Sequence, residues 1–253
     1  MKWEVVMKKN IKKIFVVNGK KRINSCTFNQ SGRSMIEMLG VLAIIGVLSV
    51  GGIAGYSKAM TKNKINKVVD NVSMIVTNIR TLYAQQTDYA NLDNNSAVQM
   101  GAVPNEMIGN GNDAYRQRII SHAFLGNVFI RGAKSGNSGF PDKAFVINLN
   151  GLPKEACMAL ATYDWGSDYS SGLIGFAAYG WDSTRVLFSH ELTEDGDLLQ
   201  NCTGKYKKFG DADRVFACAG DSGLYGVPLN VAEAAKGCNC GKRNNCGFTL
   251  KYN

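Results

Sequence analysis

The sequence predicts an α+β protein in which a long N-terminal helix packs on a small antiparallel β-sheet head. Three observations carry this prediction. An uncharged, strongly apolar run of 20 residues separates Glu37 from Lys58. An apolar stripe with helical spacing follows from Ile65 to Tyr83. Short apolar or β-branched runs then occur between Gly, Asp and Asn, as expected for strands of an antiparallel sheet.

The apolar run predicts a membrane-spanning helix. At about 1.5 Å per helical residue, 20 residues match the hydrocarbon thickness of about 30 Å. A chain that crosses a membrane as one segment must be helical, because hydrocarbon offers no partner for its backbone polar groups. We expect the spanning part at about residues 35–57. Glu37 at its head is the anomaly, because a carboxylate is costly to bury there.

The stripe that follows predicts that the helix continues as an amphipathic second half. Its apolar residues recur at spacings of three and four, and they are Ile65, Val68, Val69, Val72, Ile75, Val76, Ile79, Leu82 and Tyr83. We therefore expect one long helix over residues 33–88, with the stripe docked on a globular head over residues 89–253.

Within the head, the sequence indicates loops, strands and one clear helix. Residues 91–112 carry loop and turn signals, and residues 116–125 are a candidate short helix. Residues 152–163 read as a helix with proline in its first turn. The strand candidates are residues 127–131, 144–149, 173–178, 185–189, 214–218 and 248–252.

Charge is concentrated at the N-terminus. Residues 1–32 hold eight Lys or Arg and one acid, whereas the remaining 221 residues hold 21 basic and 19 acidic side chains. Positive charge beside a span predicts that this side stays cytoplasmic, so the C-terminal bulk is expected across the membrane. Because the rest of the chain is nearly neutral, no nucleic-acid partner is predicted.

Three interpretations of the apolar segment compete. A secretory signal peptide explains the basic start but has a shorter apolar region and a small-residue cleavage site. An ordinary single-span anchor explains the length and leaves Gly32, Arg33 and Glu37 without a role. The third rests on the sequence from Gly32 to Leu39, Gly-Arg-Ser-Met-Ile-Glu-Met-Leu, followed by Val41 to Leu48. This stretch resembles the processing and assembly motif of the type IV prepilin family.

The resemblance implies that a prepilin peptidase cuts after Gly32, which makes residues 1–32 a leader and Arg33 the new N-terminus. Glu37 would then be the fifth mature residue and pair with the α-amino group of a neighbouring subunit. Arg33 stands where the family usually has an apolar residue. This difference weakens the expectation that residue 33 is N-methylated more than the expectation that the chain is cut there. The implied assembly residues are Glu37, Met38, Leu39, Val41, Leu42, Ile44, Ile45, Val47 and Leu48.

A second resemblance lies in the head. The order of Gly126 to Ile130, Phe145 to Ile147 and Leu152 to Cys157 is similar to that of a type IVb pilin head. The long leader also resembles the type IVb branch, with Met7 as an alternative start. Together these features imply the pilin "lollipop" fold.

The cysteines predict disulfides in a translocated head. Cys26 lies in the leader, and the six that remain allow 15 connectivities, which the sequence leaves open. They are Cys157, Cys202, Cys218, Cys238, Cys240 and Cys246. The family resemblance implies a C-terminal loop closed between Cys202 or Cys218 and one of the last three. A zinc site on the last three is disfavoured, because no Cys-x-x-Cys pair or nearby histidine is present.

Other chemistry is weakly indicated. Residues 220–223, Gly-Asp-Ser-Gly, are similar to a serine-protease nucleophile loop, but His122 and His190 lie in no matching motif. Both histidines are expected to be surface or packing residues. Acidic residues between 191 and 197 favour a solvated turn over a calcium site. No enzyme activity, metal or cofactor is expected.

The function that follows from the resemblance is a structural subunit of a type IV pilus. Its expected partners are further copies in a helical filament, the prepilin peptidase, the inner-membrane assembly machinery and the membrane itself. The precursor would sit in the inner membrane with a periplasmic head before joining an extracellular fimbrium. The alternatives are a pseudopilin or minor pilin of a type II secretion-type machine, or a membrane-anchored binding domain.

Overall fold

The computed structural model describes residues 34–114, 116–133, 143–166, 171–180, 214–218, 227–241 and 245–253. The chain divides into two compact units, residues 1–51 and 52–253. The first described element, α1, is a helix of 48 residues over Met35–Leu82 that begins in the first unit and ends in the second.

The second half of α1 is amphipathic, as predicted. Its stripe is buried in the core of the second unit from Val68 to Ile79, where the apolar side chains are at most 8% exposed. At the two ends of the predicted stripe, Ile65 and Tyr83 are partly buried and Leu82 is exposed. Burial of an apolar helix face against a sheet supplies most of the stability of such a helix, since isolated helices are marginal in water.

The segment after α1 is more regular than the sequence predicts. Helix α2 spans Asn94–Gln99, and a 3-10 turn over Asn105–Met107 leads into strand β1 at Ile108–Asn112. The expected loop over residues 91–112 is therefore wrong in large part. Asp93 explains α2, because its side chain accepts from the Ser96 amide while the Ser96 hydroxyl accepts from the Asp93 amide.

The short helix considered over residues 116–125 is also wrong. Strand β2 occupies Arg118–Ile120 and pairs antiparallel with β1, and a turn follows it. The β-branched pair at residues 119 and 120 is better suited to a strand than to a helix of this length.

The head is built on a five-stranded antiparallel sheet. Its remaining strands are β3 (Val128–Ala133), β4 (Ala144–Leu152), β5 (Leu173–Gly180), β6 (Arg214–Cys218) and β7 (Cys246–Tyr252). Their order is β3-β4-β7-β5-β6, so the last described strand lies at the centre. Five of the six predicted strand segments are strands, and the candidate at residues 185–189 lies outside the described residues.

Two short helices complete the described head. Helix α3 spans Lys154–Ala161, inside the predicted helix, and α4 spans Val231–Gly237. Asn230 caps α4 by accepting from the Glu233 amide at 2.9 Å. A long helix with a sheet of this kind is the predicted α+β fold, which is confirmed.

The two faces of the sheet differ in chemistry. One face joins α1 in the apolar core through residues such as Ile147, Phe176 and Phe248. On the other face, the Asn148 amide donates to the Tyr179 hydroxyl at 2.5 Å and to the Thr249 hydroxyl at 2.6 Å. All three side chains are buried, so these hydrogen bonds offset the cost of removing them from water.

Candidate assembly site

The first half of α1 is apolar on all sides and unburied. Of the 18-residue window that is apolar enough to cross a membrane, none is buried inside the structure. Length and composition alone support a span, and no membrane is present in the structure. A helix that is apolar all round needs lipid or protein around it, because water would leave that surface unfavourably exposed.

All nine residues predicted for assembly are described, and all are exposed. They are Glu37, Met38, Leu39, Val41, Leu42, Ile44, Ile45, Val47 and Leu48. They spread around the whole helix surface. Gly32 and Arg33, the predicted cleavage positions, lie outside the described residues.

Glu37 lies in the first turn of α1. The carbonyl of Ser34 accepts from the Glu37 amide at 2.9 Å and from the Met38 amide at 3.2 Å, which begins the helical ladder. A carboxylate is favoured at this end, because the first amides of a helix carry partial positive charge. Glu37 is thus compatible with the helix while its side chain stays open to an outside cation.

The glycines of this half leave open surface. A Cβ atom added at Gly40, Gly46, Gly52 or Gly55 would meet nothing within 4 Å. The packing within a single chain therefore does not require glycine at these positions. Small residues on apolar helices let another backbone approach closely, which is how helices associate in membranes.

Polar contacts at the other end of α1 fix it on the head. The Asn78 amide donates to the Ala102 carbonyl at 3.1 Å, and the Arg80 guanidinium donates to the Ser171 carbonyl at 2.5 Å. The Lys67 ammonium lies 2.9 Å from the Glu106 carboxylate. That ammonium and the Asn71 side chain lower the pKa of Glu106. No local pattern in the sequence signals these contacts.

Arg80 also lies near two tyrosines under the end of the helix. Burial raises the pKa of Tyr89, and the positive charge of Arg80 partly opposes this shift. The same two causes act on Tyr252, whose pKa is raised far above the ordinary value. Both hydroxyls therefore stay neutral at physiological pH.

Among the described residues, two disulfides lie in the C-terminal part of the head. Cys157 on α3 pairs with Cys238 at the end of α4, with Cα atoms 5.7 Å apart. Cys240 pairs with Cys246, with Cα atoms 4.9 Å apart. Four of the six candidate cysteines are thereby assigned.

The pairing implied by the resemblance is wrong. Cys238, Cys240 and Cys246 all have other partners, so none remains for Cys202 or Cys218. The physical reason is that α3 and α4 bring Cys157 against Cys238. Cys202 and the side chain of Cys218 lie outside the described residues. The sulfur atoms of Cys157, Cys238 and Cys246 lie within 4.8 Å of one another, but disulfide sulfurs offer no thiolate to a metal.

His122 is a packing residue, which agrees with one of the two predicted roles. It is buried, and its Nε2 donates to the Asn150 carbonyl at 2.8 Å while its Nδ1 accepts from the Phe124 amide at 3.2 Å. Burial lowers its pKa. His190, the acidic residues at 191–197 and the Gly-Asp-Ser-Gly run at 220–223 lie outside the described residues.

A family model and two curated proteins match parts of this chain. The family model of the PilS N-terminal region matches residues 61–178, which include the second half of α1 and the sheet up to β5. Two curated relatives are each 29% identical over 138 residues, which is 54% of this chain and 67% of theirs. The predicted resemblance to the type IV pilin family is thereby confirmed.

The particular relatives are described as pilus subunits and type IV pilins. The two curated matches are the "Major structural subunit of bundle-forming pilus" of Escherichia coli O127:H6 (strain E2348/69 / EPEC) and of Escherichia coli O111:H-. Among solved structures, the type IV b pilin from Salmonella typhi has a TM-score of 0.43 at 16% identity, covering 73% of this chain and 96% of its own. TcpA, a type IV pilin from Vibrio cholerae El Tor biotype, has a TM-score of 0.40 at 14% identity, covering 76% and 99%.

Proposed function

We propose that this chain is a structural subunit of a type IV pilus of the IVb kind. A prepilin peptidase would cut it after Gly32, and the first half of α1 would then polymerise it into a surface filament. The observation that carries the proposal is the apolar, unburied half of α1. The similarity to major subunits of the bundle-forming pilus supports it.

In this proposal, the first half of α1 is surrounded first by lipid and later by the helices of other copies. In the precursor, lipid of the inner membrane covers the apolar surface, with the basic residues 1–32 on the cytoplasmic side and the head in the periplasm. In the filament, the same surface packs against the helices of other copies. Both surroundings remove apolar area from water, so extraction from lipid need not expose it.

Glu37 gives the filament its register in this proposal. A carboxylate in an apolar helix bundle is costly unless a cation pairs with it. The free α-amino group of Arg33 on a neighbouring copy would supply that cation after cleavage. The first turn of α1 would then hold a charge pair between copies, and the cut would be required before assembly.

The experiment uses the full chain expressed with its assembly machinery, with and without the prepilin peptidase. Intact mass and N-terminal sequencing should show a mature chain that begins at Arg33 only when the peptidase is present. The same mass reports N-methylation of Arg33 and the number of disulfides. A chain that stays uncut, or that is cut beyond Gly51 as a signal peptide would be, contradicts the proposal.

A matched pair of variants tests assembly. Glu37→Ala should abolish filaments while the head stays folded. Glu155→Ala is the control, because Glu155 also lies in the first turn of a helix and is exposed, but on the head. Filaments are counted after shearing. Normal assembly of Glu37→Ala would favour the membrane-anchored binding domain. Incorporation only as a rare component would favour the minor pilin or pseudopilin.

A further inference from the structure

Three buried sulfur atoms lie together where α3, the end of α4 and the start of β7 meet. Cys157 lies on α3, Cys238 follows α4, and Cys246 begins β7. Their sulfur atoms all lie within 4.8 Å of one another. Cys157 and Cys238 are bonded to each other, whereas Cys246 is bonded to Cys240. One sulfur of the short-range disulfide therefore lies beside both sulfurs of the long-range disulfide.

The backbone at these three cysteines is held by regular hydrogen bonds. The Cys157 amide donates to the Pro153 carbonyl at 3.0 Å. The Cys238 amide donates to the Ala234 carbonyl at 2.9 Å, and Cys246 belongs to the central strand of the sheet. A disulfide holds its sulfurs about 2 Å apart, so a sulfur at 4.8 Å has to move by about 3 Å. A change of χ1 rotamer supplies such a shift and leaves the backbone in place.

The sulfur atoms are also shielded from solvent. Cys157, Cys238 and Cys246 are fully buried, and Cys240 is 5% exposed. Thiol–disulfide exchange requires a thiolate to reach a disulfide sulfur and to form a mixed disulfide with it. A thiolate within the group is therefore far better placed to attack than a thiol that arrives from solvent.

We propose that Cys157, Cys238 and Cys246 form an internal disulfide-exchange site. A Cys246 thiolate attacks the Cys157 sulfur, and a bond forms between these two atoms. The bond between Cys157 and Cys238 breaks, and its electron pair stays on the Cys238 sulfur as a thiolate. Attack on Cys238 releases a Cys157 thiolate in the same way. One thiolate and one disulfide are present before and after each step, so no oxidant or reductant is consumed.

The exchange site corrects the pairing of the long-range bond. A chain that first joins Cys157 to Cys246 is not trapped, because the Cys238 thiolate attacks Cys157 and releases Cys246. The freed Cys246 then bonds to Cys240, and an external disulfide accepts the two electrons and two protons and becomes two thiols. This chemistry belongs to the head, so it stands whether or not the chain polymerises.

Cys240→Ala tests the exchange in the detergent-extracted full chain. The substitution leaves Cys246 as a thiol beside the bond between Cys157 and Cys238. After incubation at pH 8, free thiols are blocked with a maleimide, and peptide mass spectrometry reads which cysteines carry the label. Label should appear on Cys238 or Cys157 in the chains whose Cys246 has become part of a disulfide. The exchanged fraction should not depend on protein concentration, because the step is intramolecular.

Cys246→Ala is the matched control. It leaves Cys240 as the thiol, and the Cys240 sulfur is not one of the three that lie together. The exchanged fraction should be at least about tenfold lower than in Cys240→Ala, because the thiolate is not beside the other disulfide. Equal exchange in the two variants overturns the proposal. Label on Cys246 alone in Cys240→Ala overturns it as well, and so does exchange that rises with protein concentration.

The parental chain gives a second test that needs no substitution. A limiting amount of a phosphine reductant breaks one disulfide per chain, at pH 8 or at pH 4, before the thiols are blocked. At pH 8 the remaining disulfide should include bonds from Cys246 to Cys157 or Cys238, at least about tenfold more often than such bonds from Cys240. At pH 4 only the original pairs should remain, because the thiolate is the nucleophile. Original pairs alone at pH 8, or new bonds to Cys240 and Cys246 in equal amounts, overturn the exchange site.

Discussion

The two halves of α1 have opposite relations to the rest of the chain. From Val68 to Ile79 the apolar stripe is buried against the head, whereas from Met35 to Ile53 the apolar side chains are all largely exposed. Both halves are α-helical, but the first is apolar on all sides whereas the second carries its apolar residues on one stripe. The described residues of the head bury the apolar stripe of the second half, whereas the apolar side chains of the first half stay exposed.

Removing the disulfide between Cys157 and Cys238 should cause the largest loss of unfolding free energy. Cys157 and Cys238 are separated by 81 positions, so a Cys157→Ser, Cys238→Ser chain should lose about 4.5 kcal/mol of unfolding free energy by loop entropy. The matched pair Cys240→Ser, Cys246→Ser, separated by 6, should lose about 2 kcal/mol. Urea unfolding of the detergent-extracted chain, followed by tryptophan fluorescence, measures both. Equal losses would contradict the entropic account.

The same isoleucine-to-alanine substitution, made once in each half of α1, compares the two halves directly. Ile75→Ala should lower the unfolding free energy of the head by about 3 kcal/mol, because Ile75 is fully buried. Ile44→Ala should leave head stability unchanged, because Ile44 is exposed. The same urea titration reads both variants. A comparable loss from Ile44→Ala would show that the first half depends on the head after all.

A smaller loss of head stability is expected when the pH is lowered. Burial keeps the folded-state pKa of His122 below its unfolded value of about 6.5, so the unfolded chain binds more protons in this range. Stability is therefore full above that value and falls as pH drops toward the folded pKa, by at most about 1.4 kcal/mol per pH unit. Unfolding between pH 7.5 and 5 should show a shallower fall for His122→Gln than for the parent. Parallel curves would exclude His122 as the cause.

The smallest effect is expected at the surface ion pair that lies against α1. Glu106→Gln removes the charge paired with Lys67, and both side chains are about half-exposed. Because salt screens such pairs, any loss of stability should be slight and should vanish in 1 M salt. Thermal unfolding at low and high salt checks this. A loss that persists at high salt would instead point to the hydrogen bond between Glu106 and Asn71.

Periodic features were predictable from the sequence. The stripe on α1 is predictable because burial recurs with the helical period, and the sheet is predictable because β4, β5 and β7 are short apolar or β-branched runs between turn residues. The segment over residues 91–112 was missed, since α2 and β1 are short and depend on Asp93 and on pairing with β2. The sequence does not predict the partners of Cys157 and Arg80. These contacts span 81 and 91 positions respectively, and contacts of that length leave no local pattern.

The central place of β7 sets an order of events. Strands β4 and β5 both pair with β7, and α1 precedes them all in the chain. The apolar first half of α1 is therefore synthesised early, while the sheet stays incomplete until residues 246–252 have been made. A molecule arrested before that point has two open strand edges, which invite aggregation and proteolysis. Completion of the sheet by β7 therefore protects both of those edges.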